Sequence, residues 1–206
     1  MGKHYATVAF TELNQQETII IQFVLFAELL YPIQKGSILR MKKRAEGGDA
    51  AAIRNVGCYY ATGNRGLSRD FPKALELWLR AGGLGCAASY YNVATAYYNG
   101  EGAERDMDKA KYYYELAAMG GNVLARHNLG SFEGCSGNMT RAMKHWMVAA
   151  GTGDGESLKC IQDCFMHGHA TKDDFERALR AHKEAKDDMK SDQREAAAAS
   201  RRSTSA

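Results

Sequence analysis

Apolar and small residues return along this chain at an interval much longer than the turn of one helix. Ala74, Ala110, Ala142 and Ala178 each follow a Lys or Arg (Lys73, Lys109, Arg141, Arg177), with separations of 36, 32 and 36 residues. Seven residues after each stand Ala81, Ala117, Ala149 and Ala185. Upstream, Val56, Val93, Leu129 and Ile161 recur at 37, 36 and 32 residues, and eight residues before each lies a glycine: Gly48, Gly85, Gly121 and Gly153. Columns that keep one register over this distance predict repeated supersecondary units rather than one irregular core.

Within a unit the pattern reads as two helices. The first opens after Asp49, Cys86, Asn122 or Asp154, crosses the Val/Leu/Ile column and ends near Gly63, Gly100, Gly134 or Gly168, which places first helices near 50–62, 87–99, 123–133 and 156–167. Asp and Asn suit the opening position because their side-chain oxygens accept from free amides of the first turn. The second helix opens around Asp70, Asp106 or Asp173, whose charge favours the positive end of the helix dipole. Its apolar positions fall at helical spacing, as in Ala74, Leu77, Trp78 and Ala81, or Ala142, Trp146 and Ala149. Gly57, Ala94 and Gly130 share one column of the first helix. Small side chains there let paired helices approach closely, with Tyr60, Tyr97, Phe165, Trp78, Tyr114 and Trp146 filling the flanks. No such pair buries its apolar face alone, so stability must come from stacking neighbours.

Composition supports a helical reading and narrows function. The 206 residues are 45% hydrophobic and include 21 glycines but only 2 prolines, a balance that fits helices ended by glycine. A formal charge of +3, with the tail's basic residues interleaved with acids, favours no nucleic-acid partner. Five unevenly spaced cysteines suit a reducing compartment, cytoplasmic or nuclear. The apolar run Thr18 to Leu30, broken by Gln22 and Glu28 and halted at Pro32, is shorter than the roughly 20 residues a bilayer span needs. It reads first as a buried or capping helix, with a signal anchor as the alternative; the segment Thr18 to Tyr31 is where a membrane contact would arise, and no membrane partner is expected.

Asn92-Val93-Ala94-Thr95-Ala96-Tyr97-Tyr98-Asn99-Gly100-Glu101-Gly102, with Asp106-Met107-Asp108-Lys109-Ala110 and Glu115-Leu116-Ala117-Ala118-Met119-Gly120-Gly121, resembles a Sel1-like repeat almost throughout. Asn55-Val56-Gly57-Cys58-Tyr59-Tyr60 and Asp70-Phe71-Pro72-Lys73-Ala74 match nearly as well. The third unit lacks four residues around Cys135 to Asn138, and the fourth is degenerate, with Ile161-Gln162 where Leu-Gly is expected. The resemblance implies an all-α fold, a right-handed α-solenoid of about four tetratricopeptide-like helix pairs with a long C-terminal helix. Its parts are a non-repeat segment 1–36, a repeat domain 37–190 (repeats about 48–84, 85–120, 121–152 and 153–190), and a helix end with a disordered tail at 191–206. It also implies a non-enzymatic scaffold that binds a peptide or domain on its concave face. Related chains often carry a zinc module of the ubiquitin pathway before the repeats; a diverged or truncated member of that group is the alternative, although no cysteine here precedes Cys58.

Three groups of residues are chemical candidates. Cys160, Cys164, His167 and His169 have metal-ligand types, and cysteines four apart share a helix face. The repeat register instead puts Cys164 in a small, buried column, so core thiols are favoured and no metal or cofactor is expected. Asn55, Asn92 and Asn128 form a column that either holds the backbone of an extended peptide or bonds to the neighbouring repeat and fixes stacking. Arg54, Tyr91 and His127 flank that column, with Tyr90 and Lys159, and complete the expected partner-binding set. No glycine-rich phosphate loop, nucleophile elbow or H-E-x-x-H pattern is present, so no catalytic residues are expected.

Overall fold

The computed structural model of the chain describes residues 36–204. The apolar run Thr18 to Leu30 lies outside the described residues. Among those described there are nine helices and no strand: α1 (36–46), α2 (Ala50–Thr62), α3 (Phe71–Gly83), α4 (Ala87–Asn99), α5 (Met107–Met119), α6 (Val123–Cys135), α7 (Met139–Ala150), α8 (Gly155–Met166) and α9 (Lys172–Thr204). The architecture is an all-α solenoid of helix hairpins. Its contacts divide it into a unit ending at Leu77 and a unit from Trp78 onward.

In the first unit Ile38 and Ala45 of α1 are buried, as are Ile53 and Val56 of α2 and Ala74 and Leu75 of α3. Asp49 caps α2 by accepting from the Ala52 amide at 3.0 Å, and Arg44 pairs with the same carboxylate. Lys42 and Lys73 both lie over the Tyr60 ring.

In the second unit consecutive helices from α4 to α9 pack on one another, and α9 also returns to α7. Helix starts follow the sequence. Asp106, Asn122 and Asp154 accept from amides three residues on at 2.9, 2.8 and 2.8 Å. Those bonds hold the Asp106 carboxyl below the usual range, led by the Lys109 amide. Cys86 occupies the same position before α4 but its side chain caps nothing, as its weakly accepting sulfur explains. At α9, Thr171 and Asp174 exchange bonds: the Asp174 amide donates to Thr171 Oγ1 at 3.1 Å, and the Thr171 amide donates to Asp174 Oδ2 at 3.2 Å. α9 remains helical to Thr204, further than the register predicts, through an alanine-rich stretch of high helix propensity.

Helix ends follow the sequence with one correction. Gly63 and Gly100 end α2 and α4 in the left-handed region, at φ 68° and 75°. In the third repeat Gly134 does not end the helix: α6 continues to Cys135, and the left-handed turn falls on Gly137 at φ 79°. The cause is a neighbour. A Cβ at Gly134 would lie 3.3 Å from the Trp146 ring, so this glycine makes room instead of making the turn.

The small columns act as expected. Ala74, Ala81, Ala110, Ala117 and Ala142 are fully buried, and Ala149 and Ala178 nearly so. Trp146 lies against Gly130 so closely that a Cβ there would sit 2.4 Å from its Nε1. In the second repeat, where the column holds Ala94, Tyr114 takes the place of Trp146, and Tyr97 and Tyr113 stack with centroids 5.8 Å apart. Phe165 and Phe175 stack at 5.5 Å across α8 and α9.

Because Trp146 has backbone on one side and buried alanines on the other, Gly130→Ala is expected to lower stability by about 1–3 kcal/mol. Gly155→Ala, where an added methyl meets nothing within 4 Å, is expected to be neutral or to stabilise by up to about 1 kcal/mol. Urea unfolding of the two variants checks both.

Candidate functional site

A cavity of about 320 Å3 opens between α4 and α6 over α5. Its position follows from helical spacing. On α6, Asn128, Ser131, Phe132 and Cys135 fall three, four and seven residues from the first and share one face. Tyr98 from the end of α4 and Met107 from the start of α5 close the opposite wall, and Tyr114 of α5 forms the floor. Tyr98 meets Phe132 edge-on, centroids 6.1 Å apart and planes at 67°. Ser136 completes the lining, which contains no Asp, Glu, Lys, Arg or His.

The polar groups at the floor are linked. Thr95 Oγ1 donates to the Tyr91 carbonyl at 3.0 Å and lies 3.2 Å from the hydroxyl of Tyr114, which lines the cavity together with Asn128. Burial pushes the Tyr114 hydroxyl up from its ordinary value, so it stays a neutral donor at physiological pH.

The six expected partner-binding residues are placed differently from one another. Asn128 lines the cavity. Tyr91 packs against Tyr114, centroids 5.8 Å apart, and Asn92 is half-buried. In the first unit Arg54 Nη2 donates to Asn55 Oδ1 at 2.8 Å, which joins two of the candidates to each other. His127 Nδ1 lies 2.9 Å from Ser157 Oγ and 3.6 Å from Asp154 Oδ2, tying α6 to the start of α8. This Asp, Ser and His set is not a nucleophile relay. Both partners address the same ring nitrogen, where a relay needs one on each, and Ser157 is fully buried.

Sequence reasoning missed Glu133. It stands in the column held elsewhere by Tyr60, Tyr97 and Phe165, and that exchange of an aromatic for an acid was the available signal. Its side chain is only 5% exposed. Lys111 Nζ donates to it at 2.8 Å and Asn138 Nδ2 at 3.0 Å, so the carboxylate joins α5, α6 and the start of α7. Those donors, Lys111 first, hold its carboxyl below the usual range. Tyr98, Met107 and Cys135 were missed for another reason: they sit at helix ends, away from the asparagine column.

The metal-type residues are dispersed. Cys164 is buried in the α7–α9 core with its Sγ 3.6 Å from Met139 Sδ, whereas His167 and His169 are exposed. Burial pushes both the Cys160 and Cys164 thiols up, away from the thiolate that binds metal. Among the described residues no group of three His, Cys, Asp or Glu side chains converges. No helix among them is long and apolar enough to cross a membrane.

Comparison with known proteins agrees with this architecture. The Sel1 repeat model matches residues 50–86 and 87–122, the hairpins α2–α3 and α4–α5. The chain is 32% identical over 91 residues to the ERAD-associated E3 ubiquitin-protein ligase component HRD3B of Arabidopsis thaliana, covering 44% of this chain and 14% of that protein. Its fold is similar to the crystal structure of a Sel1 repeat protein from Oxalobacter formigenes (TM-score 0.65, 26% identity, 74% of this chain and 64% of that one). It is also similar to a protective antigen of uropathogenic Escherichia coli strains displaying an SLR fold (TM-score 0.62, 27% identity, 73% of this chain and 33% of that one).

Glu133 yields a pH test. Its depressed pKa means the carboxylate stabilises the fold above the ordinary value near 4.5, and that contribution is lost as pH falls through the lower, folded value. Glu133→Gln is expected to be less stable than wild type at about pH 6, with the gap closing towards about pH 3. Lys111→Met, which leaves a buried acid short of its cation, is expected to cost roughly 1–3 kcal/mol at neutral pH. Thermal unfolding across that pH range measures both.

Proposed function

We propose that the chain, two of whose hairpins match the Sel1 repeat model, acts as a non-enzymatic scaffold, with the α4–α6 cavity as the place where a protein or peptide partner docks. One observation carries this reading: an open space of about 320 Å3 is walled by Tyr98, Phe132 and Met107 and has the side chain of Asn128 in its lining. Aromatic walls give large contact area at low entropic cost, and a few fixed polar groups give register. Asn128 is the contact residue from the expected set; Tyr91 supports it from behind through Tyr114. The remaining candidates, Arg54, Asn55, Asn92 and His127, would extend the binding surface along the repeats.

Among the described residues a reaction centre finds no support in the side-chain geometry: the Asp154, Ser157 and His127 grouping has the wrong connectivity, and burial pushes the thiols of Cys160 and Cys164 up, away from the thiolate. A reducing compartment, cytoplasmic or nuclear, suits five free cysteines. A second reading is favoured by the similarity to a ubiquitin ligase component: the docked partner would then belong to the ubiquitin pathway, with the chain still a scaffold.

Cys135 is exposed at the mouth of the cavity, so Cys135→Trp fills the space without touching the core. The variant is expected to keep its Tm within about 2 °C and to lose partner binding at least tenfold, read by proximity labelling in cells followed by affinity measurement on the partner identified. Unchanged affinity would remove the cavity from the docking site. Ubiquitin-pathway proteins dominating the labelled set would select the second reading.

A further inference from the structure

Another concavity, of about 560 Å3, opens between α7 and the start of α9, and it shares no lining residue with the α4–α6 cavity. Helical spacing builds one of its walls. Thr140, Met143, Lys144, Met147 and Val148 follow at intervals of three and four residues along α7, which puts them on one face. At about 1.5 Å of rise per residue that face is about 12 Å long, the length of roughly three to four residues of extended chain. His169 from the turn after α8, with Asp174 and Arg177 from the start of α9, closes the other side.

The floor is apolar and adaptable. Met143 and Met147 pack on the α7–α9 core and also line the concavity, and Val148 is 50% exposed. Unbranched thioether chains rearrange readily around an incoming apolar group. The rim is rich in donors. Asp174 is the acid of the lining, and both its oxygens are already occupied: Oδ2 accepts from the Thr171 amide at 3.2 Å and the Thr171 hydroxyl at 2.7 Å, and Oδ1 accepts from Arg177 Nη2. Arg177 keeps the other N–H groups of its fork, and Lys144 has three donors with no further acid in the lining to meet them. Both side chains are exposed, as is His169.

Charge and floor together select the occupant. A cationic segment would be repelled by Lys144 and Arg177, and a purely acidic one would leave the methionines and Val148 against water. We propose that this groove docks a short extended segment of a partner protein in which aliphatic and acidic side chains alternate. Alternation sends successive side chains of an extended chain to opposite faces, so the aliphatic ones take the Met143 and Met147 floor and the carboxylates stay at the open side. The long stems of Lys144 and Arg177 carry their charges to that level.

The test uses the full chain with its methionine methyls labelled for NMR. It is titrated with three tetrapeptides, acetylated and amidated: Leu-Asp-Leu-Glu, its neutral analogue Leu-Asn-Leu-Gln, and Ser-Asp-Ser-Glu. The first is expected to shift the Met143 and Met147 methyls and to bind roughly five- to tenfold more tightly than the neutral analogue, an advantage that shrinks as salt is raised. Ser-Asp-Ser-Glu is expected to bind at least about tenfold more weakly than the first. Lys144→Gln, which keeps part of the stem, is expected to narrow the gap between the acidic and neutral leucine peptides, and Lys144→Glu to close it. A gap unchanged by both variants would overturn the inference, as would equal binding of those two peptides to wild type, methionine methyls that respond to none of the three, or tightest binding of Ser-Asp-Ser-Glu. The same methyl shifts on raising the protein concentration alone would give the groove to a second copy and overturn it too. Cys135→Trp is expected to leave all three titrations unchanged, so failure of the α4–α6 docking site and failure of this groove are read separately.

Discussion

Helix separation is the constraint on which the rest of this structure depends. Trp146 can lie flat against α6 only because Gly130 has no Cβ, and the start of α4 can approach the end of α5 only because Gly120 leaves room for Ala87, whose methyl would come within 2.5 Å of an added Cβ. Packing densities near those of crystals leave no slack for such contacts to widen, so each small residue sets the spacing of its hairpin and the placement of the next. The cavity between α4 and α6 inherits its width from this spacing. It is formed by two first helices held apart across α5, whose Ala110 and Ala117 are fully buried and whose Tyr114 faces both.

The third repeat shows what happens when the column pattern changes. Its loop is four residues shorter than that of its predecessor, so no glycine-ended turn follows α6 at the usual place, and the chain reverses through Gly137 and Asn138. The aromatic that would stack against α7 is replaced by Glu133, and Asn138 and Lys111 gather on it. A buried acid is weak evidence for stability, because desolvation opposes its attraction to the lysine. Its directional bonds do something a stacked ring cannot. They fix three helices to one atom pair and so hold the shortened hairpin in register.

The repeat was legible because it is written in side-chain size, and size is what the packing reads. Four columns spaced by 32 to 37 residues named the buried alanines, and the residue types that follow the glycine column named the caps at Asn122 and Asp154. The end of α6 was not legible, since Gly134 has the same letter whether it turns the chain or makes room for an indole, and only the position of Trp146 decides. The site was half legible. Asn128 stood out through its column, but the column does not share one environment: Asn55 bonds to its own neighbour Arg54, while Asn128 lines a cavity with Tyr114 of the preceding helix. Met107 and Cys135 are neighbours only through the crossing of α5 and α6, which no spacing along the chain encodes.

Tyr114 explains why the cavity acquires its chemistry at this repeat and not at the next. It occupies the column that holds Trp78 before it and Trp146 after it, and like them it is buried and fills the flank of a small residue. An indole in that column has one donor and no acceptor; in Trp146 that donor is buried without a partner. A phenol both donates and accepts. Its hydroxyl lies 3.2 Å from Thr95 Oγ1, so one atom that is incidental to filling space adds a polar group to the floor of the cavity. In a solenoid, where each hairpin meets only its neighbours, such a change stays local. One repeat can gain a polar group in a cavity through a single ring while the register of the remaining hairpins continues undisturbed.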